Sequence, residues 1–374
     1  MTRPASAPVD PRPNLYGMSR VELESFLESQ GGPRYHGDQV FRWLYARRRF
    51  DPDGFTDLPK ALRARISQSA RVDVPTIAAR VTAEDGTVKY GVSLPGGGTV
   101  ETVFMVQRDR VTLCASSQVG CALMCGFCLT ARMGLIRHLT PGEIVGQIAL
   151  IQEDQRLGDR PFNIVFMGMG EPLHNYEGVI ASVRLLVDPA GFALAKRRIT
   201  ISTSGLAPAI ERLAAEPVRP RLAVSLNATT DAVRDRIMPV NRKYPIARLL
   251  AACRQFARAT GEKFTFEYVL LAGVNDTDAD VLRLAKLLRA NPAKLNLIPF
   301  NEVPGWLPYR APERERIVAI RDRLLALGLP VSIRYSRGAT ARAACGQLAV
   351  LSDAAAASPP PPHPVAPPSI FQRK

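Results

Sequence analysis

The sequence lacks long hydrophobic runs. Its 374 residues contain no stretch of about 18 uncharged apolar residues, the length that a membrane-spanning helix needs. The opening residues, MTRPASAPVDPRPNLYG, also lack the apolar core of a secretory signal. These absences predict a cytoplasmic protein with no membrane partner. In a reducing cytoplasm, the six cysteines are not expected to form a structural disulfide framework.

Acidic residues are scarce relative to basic ones. The chain has 34 Asp and Glu against 49 Lys and Arg, a net charge of +15. Residues 190–260 hold 13 basic and 4 acidic residues, so much of the excess lies there. This distribution favours a polyanionic partner such as nucleic acid. A solvated, arginine-rich surface without a partner is the alternative.

Pro-rich stretches mark both ends, and residues 1–14 and 352–374 are predicted to be disordered. Residues 15–75 are predicted to form a helical accessory domain. Ser19 and Glu22 form a capping-box pattern there, ahead of apolar residues with helical spacing. Its arginines suggest contact with RNA, and a plain packing role is the alternative.

The pattern changes after this helical segment. Residues 76–106 alternate in the manner of β-strands between Gly-rich turns, which predicts a β-meander linker. Over residues 107–351, apolar runs alternate with helical stretches. Strands are predicted at 111–115, 163–167, 199–202, 221–226, 264–270, 294–298 and 331–335. This βα alternation predicts an α/β fold whose parallel sheet is open or curled into a barrel, with functional residues at the carboxyl ends of its strands.

Four cysteines fall within CASSQVGCALMCGFC, residues 114–128. Three of them, Cys121, Cys125 and Cys128, have C-x3-C-x2-C spacing. Structural zinc sites prefer four ligands, whereas a [4Fe–4S] cluster held by three thiolates leaves one iron open. The spacing resembles that of the radical S-adenosylmethionine (SAM) superfamily, whose open iron binds SAM. A zinc or purely structural site is the alternative.

Small polar residues follow several predicted strands. FMGMGEP, residues 166–172, resembles the GGEP motif of the same superfamily. Its glycines are expected to let the backbone approach SAM, and Glu171 is expected to accept a hydrogen bond from the SAM amino group. ISTSG, VSLN and NLIPFN, ending at residues 205, 227 and 301, offer further hydrogen-bonding groups.

Three cysteines lie outside the C-x3-C-x2-C motif. Cys253 lies on an apolar helical stretch and is expected in the core. Cys114 precedes the motif, and Cys345 follows the last predicted strand. Two further thiols near a radical-generating centre suggest a covalent role. Buried thiols that pack as small apolar groups are the alternative.

Together, LCASSQVGCALMCGFCLTARMG, FMGMGEPLHNY, ITISTSGLAP, NLIPFN and RAACGQLA resemble the RlmN family, dual-specificity methyltransferases of adenine C2 in 23S ribosomal RNA and tRNA. Residues 35–63, YHGDQVFRWLYARRRFDPDGFTDLPKALR, are similar to the helical accessory domain of that family. The resemblance covers residues 15–351. It implies a partial (β/α) TIM-like barrel of the radical-SAM type, with an N-terminal helical domain and a β-meander linker.

The resemblance also implies a radical route, because adenine C2 carries an unactivated C–H bond. Cys345 would take a methyl group from one SAM as S-methylcysteine. A second SAM, on a [4Fe–4S] cluster held by Cys121, Cys125 and Cys128, would supply a radical that removes hydrogen from that methyl. The resulting methylene radical would add to the base, and Cys114 would free the product by attacking the sulfur of Cys345. Two SAM molecules would be used per turnover, and the two thiols would end as a disulfide bond.

Further roles follow from the same resemblance. Glu101 matches the proposed proton acceptor. The positions matching SAM contacts are Gly170, Glu171, Ser202, Ser225, Leu226, Asn227 and Asn301. The implied partners are 23S rRNA and tRNA as substrates and a flavodoxin-type reductase as electron donor, for an enzyme expected to act as a monomer.

Two stretches depart from the family pattern. Where Ser-Leu-His is common, this chain has Ser225-Leu226-Asn227, and where Gly-Asp-Asp-Ile is common it has Gly-Ala-Thr-Ala at 338–341. Two alternatives therefore stay open. One is a Cfr-like methylation of adenine C8 on the same scaffold. The other is a diverged, non-catalytic iron–sulfur RNA-binding paralogue, in which Cys114 and Cys345 would be dispensable.

Overall fold

The computed structural model describes residues 10–349. Three α-helices come first, five consecutive strands follow, and helices and strands then largely alternate. The α-helices are α1 (Arg20–Ser29), α2 (Tyr35–Phe41), α3 (Lys60–Ser69), α4 (Leu129–Arg132), α5 (Pro141–Asp154), α6 (Tyr176–Val187), α7 (Ala207–Ala215), α8 (Asp231–Ile237), α9 (Ile246–Thr260), α10 (Asp278–Arg289) and α11 (Arg314–Ala326). The strands are β1 (Thr76–Thr82), β2 (Val88–Ser93), β3 (Thr99–Gln107), β4 (Arg110–Cys114), β5 (Gln118–Gly120), β6 (Leu135–His138), β7 (Phe162–Phe166), β8 (Ile199–Thr203), β9 (Arg221–Ser225), β10 (Phe264–Leu270), β11 (Ala293–Pro299) and β12 (Val331–Ile333). In the described part of the chain, no helix is long and apolar enough to cross a membrane.

One ten-stranded sheet organises the molecule, in the order β1-β2-β3-β4-β7-β8-β9-β10-β11-β12. The first four strands pair antiparallel, and every pair from β4 to β12 is parallel. Within residues 10–349, the sheet is open between its edge strands β1 and β12. The predicted α/β class and its mostly parallel sheet are confirmed. The β5–β6 hairpin forms a separate small sheet around the cysteine loop.

The predicted β-meander does more than link two parts of the chain. Its last strand, β3, pairs with β4 over five residue pairs, from Val103 opposite Cys114 to Gln107 opposite Arg110. The meander therefore extends the core sheet by three strands. This continuity was not visible in the sequence, because strand pairing is set by which exposed edge accepts the hydrogen bonds.

Side-chain alternation sends the residues of each parallel strand to two different environments. In β10, Phe264, Phe266 and Tyr268 are fully buried on the face covered by helices. Thr265 and Glu267 alternate with them and point to the opposite, interior face. The same period places the functional side chains of neighbouring strands on one surface.

The N-terminal helical region packs tightly on the sheet-covering helices. The predicted capping box is confirmed: the Glu22 amide donates to Ser19 Oγ, and the Ser19 amide donates to the Glu22 carboxylate at 2.7 Å. Tyr45 Oη donates to the Met18 carbonyl and accepts from the Gly17 amide. These bonds hold the residues before α1 against the helical turn that follows α2 and contains Tyr45.

Residues 1–14 were predicted to be disordered, and those before residue 10 lie outside the described residues, as does the predicted disordered tail, 352–374. The prediction is wrong for residues 13 and 14. The Pro13 carbonyl accepts from the Arg71 amide, and Asn14 Nδ2 donates to the Asp73 carbonyl at 3.0 Å. The start of the accessory region is thus anchored to its own end.

Two glycines on one face of α5 allow the start and the end of the accessory region to pack closely against this helix. A Cβ on Gly142 would lie 2.2 Å from the Tyr16 carbonyl oxygen, and one on Gly146 would lie 2.3 Å from Pro75 Cδ. Residues four apart share a helix face, so both glycines meet the chain segments that enter and leave the accessory region.

Replacing Gly142 with Ala should lower the free energy of unfolding by roughly 1–3 kcal/mol, because the added methyl group overlaps the Tyr16 carbonyl. Helix propensity alone predicts the opposite sign, a gain of roughly 0.5–1 kcal/mol. Urea denaturation measures the difference. Gly54→Ala is the matched control, since a Cβ there meets nothing within 4 Å, and it should change stability by less than about 0.5 kcal/mol. A Gly142→Ala protein as stable as the wild type would contradict this packing.

Candidate active site

The parallel strands line a cavity of about 1120 Å³. Interior-facing residues of neighbouring strands form its wall, among them Cys114, Val165, Thr200, Ala223, Glu267 and Asn296. The segment after β12 contributes Cys345. The structure therefore brings the two unassigned thiols, Cys114 and Cys345, to one cavity, although they lie more than 200 residues apart in the sequence.

The segment that carries Cys345 is fastened to the cysteine loop. The Leu129 amide donates to the Gly346 carbonyl at 2.8 Å, and Thr130 Oγ1 donates to the Leu348 carbonyl at 2.5 Å. Asn301 Nδ2, predicted as a SAM contact, donates to the Cys345 carbonyl at 3.0 Å. These bonds fix the backbone of Cys345 from two sides.

The same segment is fastened to the β1–β2 turn. The Gly338 amide donates to Asp85 Oδ2 at 3.0 Å, and the Glu84 amide donates to Thr340 Oγ1 at 3.3 Å. Thr340 belongs to the Gly-Ala-Thr-Ala stretch that departs from the family pattern. In this chain its hydroxyl helps to hold the segment, so the departure has a structural use.

A half-buried cation lies beside Cys345. Arg334 Nη2 is 3.9 Å from Cys345 Sγ, and the charge of Cys345 raises the pKa of Arg334. Cys114 is only 5% exposed, and burial together with Cys345 raises the pKa of Cys114 to about 12, against the opposing effect of Arg334. At neutral pH, Cys114 is therefore a protonated thiol and a poor nucleophile until its surroundings change.

Cys121, Cys125 and Cys128 lie on a loop held by backbone hydrogen bonds. The Cys121 amide donates to the Gly134 carbonyl at 2.8 Å, and the Gly126 amide donates to the Ile237 carbonyl at 2.9 Å. Burial raises the pKa of all three thiols, that of Cys121 to about 12. The charges of Cys121 and Cys128 raise the pKa of Cys125 further, so the three sulfurs are electrostatic neighbours.

This donor set fits an iron–sulfur cluster better than a single ion. Among residues 10–349, no three or more His, Cys, Asp and Glu side chains are grouped so as to hold one metal ion. A four-iron cluster spreads its thiolate ligands farther apart than one ion does. Buried thiolates also need a compensating positive centre, which coordination to iron supplies.

The Glu171 carboxylate accepts hydrogen bonds from its own loop and from the loop after β8. One carboxylate oxygen accepts from the amide and hydroxyl of Ser204, both at 2.8 Å, and the other accepts from the Leu173 amide at 3.0 Å. Gly170 has φ +99°, and a Cβ there would lie 2.6 Å from Gln118 Cβ. Packing against Gln118 is enough to explain why this position is a glycine, without a ligand that approaches the backbone.

The remaining predicted SAM contacts lie at neighbouring strand ends. Ser202 and Ser225 are half-buried near the ends of β8 and β9, and Leu226 is fully buried. Asn227 is 1% exposed, with Oδ1 accepting from the Val269 amide at 2.8 Å. It has φ +53°, a left-handed conformation that asparagine tolerates well. Its side chain therefore braces the loop, and contact with a ligand at this position would have to use the backbone.

Glu101 lies on β3, outside the residues that line the cavity but on the same strand face as the cavity-lining Met105. Its Oε1 pairs with Lys89 Nζ at 2.9 Å, and its Oε2 is buried without a hydrogen-bond partner. Burial raises the pKa of Glu101, and Lys89 opposes this shift. Cys253 is fully buried in α9, which confirms its predicted place in the core.

Sequence reasoning missed Arg234, which is completely buried in α8. Its guanidinium donates to the carbonyls of Ser204, Ser225 and Leu226 at 2.6–3.0 Å. Burial lowers the pKa of Arg234 to about 10, and the neighbouring Cys125 opposes this shift. One side chain thus connects the ends of β8 and β9 and lies near Cys125 of the cysteine loop. In the sequence, only its position one turn after the start of a helix sets Arg234 apart from the many surface arginines.

Replacing Arg234 with Met should lower the free energy of unfolding by at least about 3 kcal/mol, because several buried carbonyls lose their donor at roughly 1–3 kcal/mol each. Chemical denaturation is the measurement. Arg236→Met, at an exposed position of the same helix, is the control and should stay within about 0.5 kcal/mol of the wild type. Equal stabilities of the two variants would show that Arg234 does not brace these loops.

Two family models match the chain. The Radical SAM superfamily model matches residues 116–285, and the model of the ribosomal RNA large subunit methyltransferase N-terminal domain matches residues 13–72. The first match spans the cysteine loop and the strands up to α10. The second spans the N-terminal helical region.

Whole-length relatives agree. The chain is 47% identical over 347 residues to a protein of Anaeromyxobacter sp. (strain Fw109-5) named dual-specificity RNA methyltransferase RlmN, covering 91% of each chain. It is 48% identical over 335 residues to the protein of the same name from Geobacter sulfurreducens, covering 90% of this chain and 91% of the relative.

A solved structure shares the fold. A radical SAM methyltransferase from Sphaerobacter thermophilus aligns with a TM-score of 0.85 and 46% identity, over 90% of this chain and 99% of that one. The matches extend over the helical region, the sheet and the cysteine loop together. The chain belongs to the RlmN family of radical SAM methyltransferases that act on RNA.

Proposed function

We propose that this protein methylates C2 of an adenine in 23S ribosomal RNA and in tRNA, through a covalent intermediate on Cys345. The observation that carries the proposal is the shared cavity of Cys114 and Cys345, with Arg334 Nη2 3.9 Å from Cys345 Sγ. A methyltransferase that moved the methyl group directly from SAM to RNA would need neither thiol. The names of the relatives, which specify dual-specificity RNA methyltransferases, support the substrate.

The cofactors would be held by the strand-end loops. Cys121, Cys125 and Cys128 would ligate a [4Fe–4S] cluster. SAM would contact the loops that contain Gly170, Glu171, Ser202, Ser225, Leu226, Asn227 and Asn301. The reduced cluster with bound SAM supplies a radical able to remove hydrogen from an unactivated methyl group, and two SAM molecules would be consumed per turnover. A flavodoxin-type reductase would provide the electron, and the enzyme would act as a cytoplasmic monomer.

Arg334 would prepare Cys345 for its part of the reaction. A guanidinium close to the sulfur stabilises a thiolate, and the thiolate is the nucleophile that accepts a methyl group. The S-methyl group formed on Cys345 would face the same cavity as Cys114. Asn301 would keep the residue in place through its bond to the Cys345 carbonyl.

Cys114 and Glu101 would complete the reaction. After the methyl carbon of Cys345 has joined the base, the adduct would give its unpaired electron back to the oxidised cluster, and Glu101 would take the proton from C2. The Cys114 thiol would then lose its proton and its sulfur would attack the Cys345 sulfur. A disulfide would form as the sulfur–carbon bond breaks, and the carbon, which keeps the electron pair of that bond, would take up a proton to become the methyl group of the released base. The high pKa of Cys114 keeps this thiol protonated, and therefore unreactive, before that step.

The cavity mouth would receive the RNA. Basic side chains from the amino-terminal ends of the strands lie there: Arg110, Arg197, Arg221, Lys263 and Lys294. Two of these, Arg197 and Arg221, belong to the strongly basic segment 190–260. Phosphate contacts at the mouth would place an extracted base inside the cavity. The N-terminal helices would add contacts, where Arg47 stacks over Trp43 at 4.0 Å.

The direct test is an anaerobic reaction of the reconstituted protein with SAM, a reductant and protein-free ribosomal RNA or tRNA. The digested nucleosides are then compared with standards by mass spectrometry. We expect 2-methyladenosine. If 8-methyladenosine appeared instead, the protein would have the Cfr-like activity. If no methylated adenosine formed with either RNA despite an intact cluster, it would be a non-catalytic RNA-binding paralogue.

Two variants serve as controls in the same reaction. Cys345→Ala should abolish methylation, since the methyl carrier is lost. Cys114→Ala should accumulate a protein–RNA adduct, because the last bond is not broken. Full activity of Cys345→Ala would contradict the covalent mechanism, and the absence of an adduct with Cys114→Ala would remove the resolving role of that thiol.

A further inference from the structure

A buried carboxylate in the cavity has an unused oxygen. Glu267 lines the cavity and is 5% exposed. Its Oε1 accepts from Asn296 Nδ2 at 3.0 Å, while its Oε2 has no hydrogen-bond partner. The nearest cation, Arg334 Nη1, is 3.8 Å from Oε2, close enough for an ion pair but too far for a hydrogen bond.

Neighbouring strands fix this arrangement. Glu267 of β10 lies opposite Asn296 of β11, which lies opposite Ser332 of β12. Ser332 Oγ donates to Asn296 Oδ1 at 2.7 Å, so the Asn296 amide nitrogen is turned toward Glu267. This ladder occupies Oε1 and leaves Oε2 as an oriented acceptor. A buried acceptor without a donor is unfavourable, and a ligand with a suitable donor would remove that cost.

The place of Glu267 indicates which ligand supplies that donor. Among the described residues, those lining the cavity include both thiols but not the cluster cysteines or Gly170, Glu171, Ser202, Ser225 and Asn301. The cavity is therefore lined by the two thiols and not by these expected SAM contacts. A group placed here lies against the thiol that would carry the methyl group.

We propose that Glu267 Oε2 accepts a hydrogen bond from the exocyclic amino group of the target adenine and so selects this base. This inference rests on the proposed function and names a specificity-determining residue for it. Adenine presents an amino donor beside a ring-nitrogen acceptor, and a carboxylate paired with the Arg334 guanidinium offers the complementary acceptor and donor. A base with a carbonyl oxygen in place of the amino group would face the carboxylate and be repelled. SAM also contains an adenine with the same amino group and ring nitrogen. The test must therefore distinguish binding of the RNA base from binding of SAM.

Three short RNA hairpins that differ only in the base at the target position test this proposal. Adenosine, purine riboside and inosine all retain the C–H groups at C2 and C8, but carry an amino group, hydrogen and an oxygen at C6. With wild-type enzyme, single-turnover methylation should be at least about tenfold slower on purine riboside than on adenosine, and slower still on inosine. Equal rates on adenosine and purine riboside would overturn the proposal. No methylation of any hairpin or natural RNA would overturn the proposed function itself.

Glu267→Gln then assigns the preference to this side chain. An amide accepts more weakly and can donate to a carbonyl oxygen, so the adenosine-to-inosine rate ratio should fall by about tenfold or more. Glu262→Gln, at the exposed mouth of the same cavity, removes the same charge and should keep the wild-type ratio. An unchanged ratio in Glu267→Gln would reduce the residue to an ion-pair partner of Arg334. A raised KM for SAM with an unchanged ratio would assign Glu267 to the adenine of SAM, and either result would overturn the proposal.

Discussion

Docking of residues 338–349 across the open barrel is the constraint on which the site depends. The segment is bonded on one side to the β1–β2 turn through Asp85 and on the other to the cysteine loop through Leu129 and Thr130. Without both attachments, Cys345 would have no fixed relation to Cys114. The β-meander therefore helps to position Cys345 by holding the segment, although the sequence alone predicts only a linker between two parts of the chain.

Burial of polar and charged groups is the second recurring feature. The Arg234 guanidinium donates hydrogen bonds to carbonyls at the strand ends, and the Glu171 carboxylate accepts hydrogen bonds from the neighbouring loop. Such groups are stable inside a protein because their hydrogen bonds replace those of water. Glu101 and Glu267 differ, since each keeps one buried oxygen without a hydrogen bond. We propose that the free oxygen of Glu101 takes part in proton transfer and that of Glu267 in recognition of the base.

The sequence was a good guide to whatever is local. Strand positions followed from apolar runs and the start of α1 from a capping box. The three cysteines proposed as cluster ligands were singled out by their spacing within eight residues. It could not show contacts that depend on tertiary structure. Arg334 reaches Cys345, and Glu267 reaches the cavity that both thiols line, only after β10, β12 and the following segment assemble. The buried Arg234 resembles any surface arginine in sequence. Asn227 shows the reverse case. In sequence it is only a departure from the family pattern at an expected SAM contact. The structure gives a reason for the asparagine, because the residue has a left-handed backbone and its side chain accepts a hydrogen bond from Val269.

The central claim is that Cys114 and Cys345 share one cavity and are chemically within reach of each other. Mild oxidation of the cluster-loaded protein, followed by blocking of free thiols and mass-spectrometric peptide mapping, tests it most directly. If the two sulfurs are neighbours in the cavity, a single dominant cross-link joins Cys114 and Cys345, and Cys121, Cys125 and Cys128 stay unchanged. A cross-link from Cys345 to one of those three cysteines, with Cys114 left free, would contradict it.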